Sequence, residues 1–236
     1  MTYAPDEHDQ TLLSLSSGEV LSERYQLVRE LGRGGMGVVW LAEDEHLDSR
    51  PMAIKVLPSA LCRNARAVAR LKKEALINLE LTHPHIVRLF NFEQDPQRSA
   101  VAYLVMQYVQ GKTLDDLLVE YPDGLPLERV REWAEQLSQA IDHAHAKQIL
   151  HRDIKPSNII IDGDGNAYLM DFGIAREAKD TMTRVTGRES SGTLPYMSPQ
   201  QLMGKNSRSN DIYSFAATLY EALCGRPPFE TGDIAT

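Results

Sequence analysis

The hydrophobic pattern changes along the chain, and its first half is built from short apolar runs. YQLVREL, VVWLAED and PMAIKVL follow one another from Tyr25 and are separated by glycines or polar turns. Short runs rich in β-branched residues and bounded by turn signals are typical of strands. They predict an antiparallel meander, and HIVRLFNFE and AVAYLVMQYV later return to the same strand character.

Longer amphipathic runs predict helices. The segment from Ala65 to Leu81 spaces its apolar residues three and four apart, which is the helical period. After a break at residues 110–113, VREWAEQLSQAIDHAHA has one apolar face, and NDIYSFAATLYEALC predicts a last helix that ends at Gly225. A strand-rich lobe followed by a helix-rich lobe indicates the α+β class.

The remaining segments read as a hairpin, a loop and a tail. NIIID and AYLMD flank GDGN, which predicts a β-hairpin. A loop rich in Ser, Thr and Gly runs from about Ile174 to Gly192. Residues 1–24 are polar and acidic, so we expect a flexible N-terminal tail.

Composition narrows the classes of partner and compartment. The chain has 236 residues and a net charge of −8, so attraction to nucleic acid or to an anionic membrane is not expected. Two cysteines argue against a disulfide scaffold or a four-cysteine zinc site and fit a reducing compartment. The longest apolar run, at 100–106, is far shorter than the roughly 20 residues of a membrane helix. With no secretory signal at residues 1–10, we expect a cytoplasmic protein without a membrane segment.

The motif GRGGMG, residues 32–37, fits G-x-G-x-x-G but has two readings. A dinucleotide-binding fold is disfavoured, because VVWL rather than a helix follows the glycines and no acid ends a second strand near Leu57. The motif is either a glycine hairpin whose backbone can approach phosphates or an ordinary turn.

Lys55 lies within an otherwise apolar predicted strand. Its side chain could simply reach solvent. However, Glu74 lies near the middle of the helix face that would pack on this sheet, and it supplies the opposite charge that a buried lysine needs. We interpret the two residues as a pair.

The stretch HRDIKPSN and the end of the following hairpin concentrate polar chemistry. Asp171 ends one strand and Asn158 begins its partner, so a carboxylate and an amide oxygen meet at one end of the hairpin, as Mg²⁺ ligands do. Asp153 is close enough to accept a proton from a hydroxyl nucleophile. Lys155 can offset charge on a transferred group.

Three other patterns predict no site. Gly111-Lys112-Thr113 lacks the first glycine of a phosphate-binding loop, and DGDGN lacks the later glycine and glutamate of a calcium loop. No cysteine or acid cluster joins the histidine pairs at 83 and 85 or at 143 and 145. We interpret these histidines as structural.

Seven features follow one another along the chain: GRGGMGVV, AIK, Glu74, HRDIKPSN, DFG, GTLPYMSP and DIYSFA. Together, and in this order, they resemble the eukaryotic-type (Hanks-type) protein kinase superfamily. The glycine loop is most similar to that of bacterial serine/threonine kinases. The resemblance covers residues 25–236. It implies a two-lobed fold: a five-stranded antiparallel sheet with one helix at 25–106, a hinge at 107–111, and a mainly helical lobe at 112–236 that lacks the family's last helices.

The resemblance implies ATP and Mg²⁺ as cofactors, with ATP in the cleft between lobes. Lys55, oriented by Glu74, would bind the α- and β-phosphates, Asn158 and Asp171 would hold Mg²⁺, and Asp153 would accept the substrate's proton beside Lys155. The remaining nucleotide contacts would come from Gly32, Arg33, Gly34, Gly35, Met36, Gly37, Val39, Ala53, the gatekeeper Met106, Gln107 to Val109, and Ile160.

Lys155 and Thr193 match the serine/threonine branch of the family, so the implied partners are protein substrates with Ser or Thr hydroxyls. Arg152 before Asp153 implies activation by phosphorylation of the loop, where Thr183 and Thr186 are the predicted sites. Self-association for phosphorylation between two copies is consistent with this. The alternative function is a catalytically silent fragment that binds nucleotide or a partner.

The chain departs from the family pattern at three places. Gln200 replaces the glutamate of the family's A-P-E motif, and Asn78 occupies a position that is usually apolar and needs a partner if buried. The chain stops before the helices that would cover the helix of Asp211. We expect Asp211 to hold the backbone of the HRDIKPSN loop.

Overall fold

Nine strands and six α-helices form the described part of the chain, which covers residues 15–34, 37–98, 101–172 and 191–229 of a computed structural model. The strands are β1 (Val20–Leu21), β2 (Tyr25–Gly34), β3 (Gly37–Asp44), β4 (Arg50–Val56), β5 (Leu89–Gln94), β6 (Ala102–Gln107), β7 (Gly111–Thr113), β8 (Ile159–Asp162) and β9 (Ala167–Leu169). The helices are α1 (Ser59–Cys62), α2 (Ala65–Asn78), α3 (Leu114–Glu120), α4 (Leu127–Ala146), α5 (Pro199–Leu202) and α6 (Arg208–Cys224).

The chain divides into two compact units. Within the described residues, the first unit contains the chain up to Leu79 and Leu89–Tyr108. The second contains Glu80–Arg88, 109–172 and 191–229. The boundary after Tyr108 falls inside the hinge predicted at 107–111.

An antiparallel sheet with strand order β1-β2-β3-β4-β6-β5 forms the first unit. This confirms the predicted meander. Alternate residues of its strands enter one apolar cluster, because successive side chains of a strand point to opposite faces. The cluster's buried members include Val38, Trp40, Met52, Ile54, Val56, Tyr103 and Val105.

The sheet has a sixth strand, so the flexible tail predicted over 1–24 is wrong for its inner end. Val20 pairs with Gln26 in β2, and the Leu27 amide donates to the Glu19 carbonyl at 2.8 Å. Leu21 is fully buried in the cluster, and this burial anchors a strand too short to show a period in the sequence. Residues 1–14 lie outside the described residues.

The predicted first lobe, 25–106, is interrupted. Residues 80–88 belong to the second unit, where the Val87 amide donates to the Leu169 carbonyl and the Leu169 amide to the His85 carbonyl, both at 2.9 Å. Ile86 is buried in that unit's core. The strand predicted from His85 therefore begins only at Leu89, because its first residues satisfy their backbone groups on β9.

The second unit packs a three-stranded sheet, β7-β8-β9, with α4 and α6 around one apolar core. The predicted hairpin is present as β8 and β9. Trp133 of α4 donates its indole N–H to the Gly165 carbonyl at 2.9 Å, and the Gln136 Oε1 accepts from the Ala167 amide at 2.7 Å. These bonds fix the hairpin on the helix.

Some apolar side chains of α6 are packed against the core and others are exposed to solvent. Phe215 and Leu219 pack against the core of the second unit, whereas Ile212, Tyr220 and Leu223 are exposed. No helix in the described ranges is long and apolar enough to cross a membrane.

Asn78 is buried with only half of its amide satisfied. Its Nδ2 donates to the Glu74 carbonyl at 2.8 Å, while its Oδ1 has no partner among the described residues. A buried acceptor without a donor costs about 1–3 kcal/mol.

We therefore expect Asn78→Leu to raise the free energy of unfolding by about 1 kcal/mol in urea titrations, because it removes the unpaired oxygen at similar volume. Asn78→Asp is the control, since it keeps the shape and buries a charge, and should destabilise the protein. A destabilised Leu variant would contradict this expectation.

Candidate active site

The HRDIKPSN loop, residues 151–158, connects α4 to β8 and is held by one buried carboxylate. Asp211, which is 1% exposed on α6, accepts the backbone N–H groups of His151 at 2.9 Å and Arg152 at 2.8 Å. It also contacts the His145 Nε2 at 2.8 Å. The expectation that Asp211 holds this loop is confirmed.

Arg152 and Asp171 adopt the left-handed backbone region, with φ of 68° and 66°. A residue with a Cβ is strained there, by about 1–3 kcal/mol, and such a conformation persists only when its surroundings fix it. At Arg152 both backbone groups are fixed, because its N–H donates to Asp211 and its carbonyl accepts from the Gln201 Nε2 at 2.7 Å.

The structure brings two of the predicted site residues, Lys155 and Asn158, to a third, Asp153. The Lys155 Nζ lies 3.4 Å from the Asp153 Oδ2. The Asn158 Nδ2 donates to the Asp153 carbonyl at 2.7 Å and to its Oδ2 at 3.2 Å. The Asp153 carboxylate is therefore oriented by a cation and an amide, and it is only 3% exposed.

Asn158 and Asp171 meet at one end of the β8–β9 hairpin. The Met170 amide donates to the Asn158 carbonyl at 3.0 Å, and Asp171 follows directly. Because the Asn158 Nδ2 donates to Asp153, the side-chain oxygen Oδ1 of Asn158 is the group that remains to bind a ligand. An amide oxygen and a carboxylate fit the hard-oxygen preference of Mg²⁺.

His151 fixes the end of this hairpin to the loop. Burial lowers the pKa of its imidazole, which favours the neutral ring. The ring accepts the Asp153 amide at Nδ1, so Nε2 carries the proton and donates to the Met170 carbonyl at 2.8 Å. Phe172 packs on the same ring, with 4.6 Å between centroids.

In the first unit, the predicted nucleotide-binding residues of the sheet share one face. Val39 pairs with Lys55, and Ala53 pairs with Met106. Since opposite partners point to the same side, these four lie on the face away from the apolar cluster. Lys55 is only 6% exposed there.

The glycine hairpin joins β2 to β3, with Gly34 opposite Gly37. Gly37 has a φ of 114°, and a Cβ built on it would lie 1.9 Å from the Val56 carbonyl oxygen. No other residue fits this position. Gly32 and Gly34 are exposed, and Arg33 pairs with Glu30 at 2.7 Å.

Other predicted contacts stay predictions. The Lys55–Glu74 pair is one of these, and Glu74 is half-buried on α2. Gln107, Val109 and Ile160 are half-buried. Gly35, Met36, Thr183, Thr186 and the Thr193 side chain lie outside the described residues.

Two buried residues of this site had no role in the sequence prediction. His145 contacts Asp211, and Arg208 donates to the His145 carbonyl at 2.6 Å. Gln201, 3% exposed, donates to the Arg152 carbonyl. Its only sequence signal is its place one residue before the end of α5, which no pattern distinguishes. Gln200, by contrast, is exposed and needs no ion-pair partner.

Comparison with known proteins decides the family. Residues 25–236 match the protein kinase domain. The chain belongs to this family. The resemblance and the fold it implied, an antiparallel sheet with a mainly helical lobe, are thereby confirmed.

Bacterial relatives support the serine/threonine branch of the kinase family. The kinase domain is 39% identical over 214 residues to serine/threonine-protein kinase PrkC of Bacillus subtilis, which covers 90% of this chain and 32% of that protein. It is 40% identical over 216 residues to serine/threonine-protein kinase PknB of Mycobacterium tuberculosis, covering 90% of this chain and 34% of that protein. The chain therefore spans about a third of the length of these relatives.

Proposed function

We propose that this chain is a serine/threonine protein kinase that transfers the γ-phosphate of ATP to Ser or Thr hydroxyls of proteins. The observation that carries the proposal is the arrangement around Asp153, where Lys155 and Asn158 contact one buried carboxylate on a loop clamped by Asp211. Kinase relatives at 39–40% identity support it. The chain has only two cysteines, which fits a reducing compartment and supports action in the cytoplasm.

ATP and Mg²⁺ are the proposed cofactors. Asn158 and Asp171 would hold the metal, which neutralises phosphate charge when bound. Lys55 would hold the α- and β-phosphates, and the glycine hairpin would cover them with backbone N–H groups. Val39, Ala53 and Met106 would contact the base from their shared sheet face.

Asp153 would act on the substrate hydroxyl. Its carboxylate would orient the hydroxyl and take its proton as the new O–P bond forms to the γ-phosphorus and the bond from that phosphorus to the leaving ADP breaks. Lys155, 3.4 Å from that carboxylate, would stabilise negative charge on the transferring group. Lys155 and Thr193 favour Ser and Thr as acceptors by the family resemblance.

The test is transfer of γ-³²P from ATP to a generic basic protein, compared with Lys55→Met. We expect label with the wild-type chain and background with the variant, because the variant loses the cation that binds phosphate. Label at background for both proteins would overturn the proposal. If ATP still bound under those conditions, the silent-fragment alternative would stand.

Arg152 suggests how the activity is regulated. Its Nε is buried and has no partner among the described residues, although guanidinium N–H groups are strong donors. A phosphate on the following loop would supply the acceptor.

We expect Thr183 or Thr186 to be phosphorylated by a second copy of the chain, since both lie midway between Asp171 and Thr193. Mass spectrometry of ATP-treated protein should find phosphate on one of them and lose it in Thr183→Ala/Thr186→Ala. Phosphate found only outside 174–192 would contradict this prediction.

A further inference from the structure

Gln201 is a buried amide that satisfies only one of its two groups. Its Nε2 donates to the Arg152 carbonyl at 2.7 Å, and its Oε1 is buried without a partner among the described residues. The orientation of the amide is fixed, because a carbonyl oxygen can only accept. Packing does not explain this choice of residue, since methionine has similar volume and leaves no unpaired oxygen.

The bond that Gln201 does make falls at a strained point of the catalytic loop. Arg152 has a φ of 68° and directly precedes Asp153. The peptide between them is held at both ends, with its carbonyl bonded to Gln201 and its N–H donating to the His151 Nδ1 at 3.2 Å. Rotation of this peptide would turn the start of Asp153 away from Lys155.

Gln201 is itself held rigidly. It lies in α5, whose N-cap Ser198 accepts the Gln201 amide at 3.1 Å. The Ser198 hydroxyl also bonds the Asn210 Oδ1 at 3.1 Å, and Asn210 precedes Asp211. The two groups that fix Arg152, the Gln201 amide and the Asp211 carboxylate, are therefore joined through one buried polar connection.

We propose that Gln201 is a positioning residue for phosphoryl transfer, which acts by holding the Arg152 carbonyl so that the Asp153 carboxylate keeps its direction. The inference rests on the proposed kinase function. It differs from the role of Asp211, because Gln201 reaches the loop from the segment that follows the GTLPY motif and fixes the carbonyl rather than the N–H groups.

Kinetics of Gln201→Met test this role. We expect kcat for a Ser/Thr peptide to fall roughly 3- to 10-fold, the effect of losing one neutral hydrogen bond. The KM for ATP should stay within about twofold, because the hydrogen bonds that Gln201 donates within the described residues go to Arg152 and Ser198. The melting temperature should stay close to that of the wild type, because the variant removes the unpaired Oε1 while it leaves the Arg152 carbonyl without its donor. Gln201→Glu should also lower kcat, since it keeps the shape and replaces the donor by an acceptor facing the carbonyl.

Gln200→Met is the matched control, one residue earlier on the same helix with an exposed side chain. It should leave kcat unchanged. Equal kcat in Gln201→Met and the wild type would overturn the inference. So would a fall in kcat that is matched by a fall in melting temperature, since that would make the role merely structural.

A second readout does not depend on activity. The Arg152 carbonyl and the Asp153 amide belong to one peptide, so the backbone ¹⁵N–¹H resonance of Asp153 should move in Gln201→Met and not in Gln200→Met. An unmoved resonance overturns the inference even in an active enzyme. If the resonance moves but the wild-type chain transfers no phosphate, the proposed kinase function fails. The role of Gln201 in phosphoryl transfer then fails as well, while its hydrogen bond to the Arg152 carbonyl is supported.

Discussion

Asp153→Asn is expected to reduce phosphate transfer by about 10²- to 10⁴-fold, the usual contribution of a positioned general base. The amide keeps the shape of the side chain but cannot accept the proton of the substrate hydroxyl. It also puts a neutral group beside Lys155, which lies 3.4 Å from the carboxylate in the native protein. The measurement is the initial rate of γ-³²P transfer at saturating ATP.

Asp164→Asn is the matched control for this variant, because it removes an exposed carboxylate from the β8–β9 turn of the same unit. Its rate should equal that of the wild type. Far-UV circular dichroism should show the fold of both variants intact. A rate within threefold of the wild type for Asp153→Asn would remove Asp153 from the proposed chemistry.

Asp211→Ala is expected to lower the free energy of unfolding by about 3–5 kcal/mol, as removal of one partner of a buried charged network does. The substitution leaves the N–H groups of His151 and Arg152 and the ring of His145 without their common acceptor. A domain's whole stability is of the order of 5–15 kcal/mol. The variant should therefore be largely unfolded well below the urea midpoint of the wild type.

Asp211→Asn separates charge from geometry, because it keeps one oxygen in place of the two that hold the loop. We expect a smaller loss, about 1–3 kcal/mol, since one donor is left unsatisfied. Urea titrations of both variants beside Asp164→Ala measure the difference. Losses below 1 kcal/mol for Asp211→Ala would mean that the loop backbone finds other acceptors.

The sequence predicted which polar side chains meet in the loop more completely than it predicted the residues that support them. The sequence indicates Asp153, Lys155 and Asn158 as candidates, because phosphoryl transfer needs an acid, a cation and a metal-binding amide within a short stretch. The sequence does not indicate Gln201. A neutral amide that donates to a backbone carbonyl 49 residues away produces no hydrophobic period, charge pattern or motif in the sequence.

In the fold, too, the elements with a clear sequence pattern were predicted and those without one were missed. Residues with a clear period, such as the helix at Leu127–Ala146, were predicted almost to their ends. The two-residue strand β1 was not, because two residues cannot show alternation. The run HIVRLFNFE is continuous in hydrophobicity, and only the change of backbone partner at Leu89 divides it.

The placement of residues 80–88 also limits how this domain can be dissected. The chain leaves the first unit after Leu79, returns at Leu89 and leaves again after Tyr108, so no single cut yields two complete fragments. A fragment beginning at Val109 would lack Ile86 and would leave both backbone groups of Leu169 without their partners on that edge of β9. Split-protein complementation designs that separate residues 1–108 from the rest should therefore yield a second half that aggregates through this open edge.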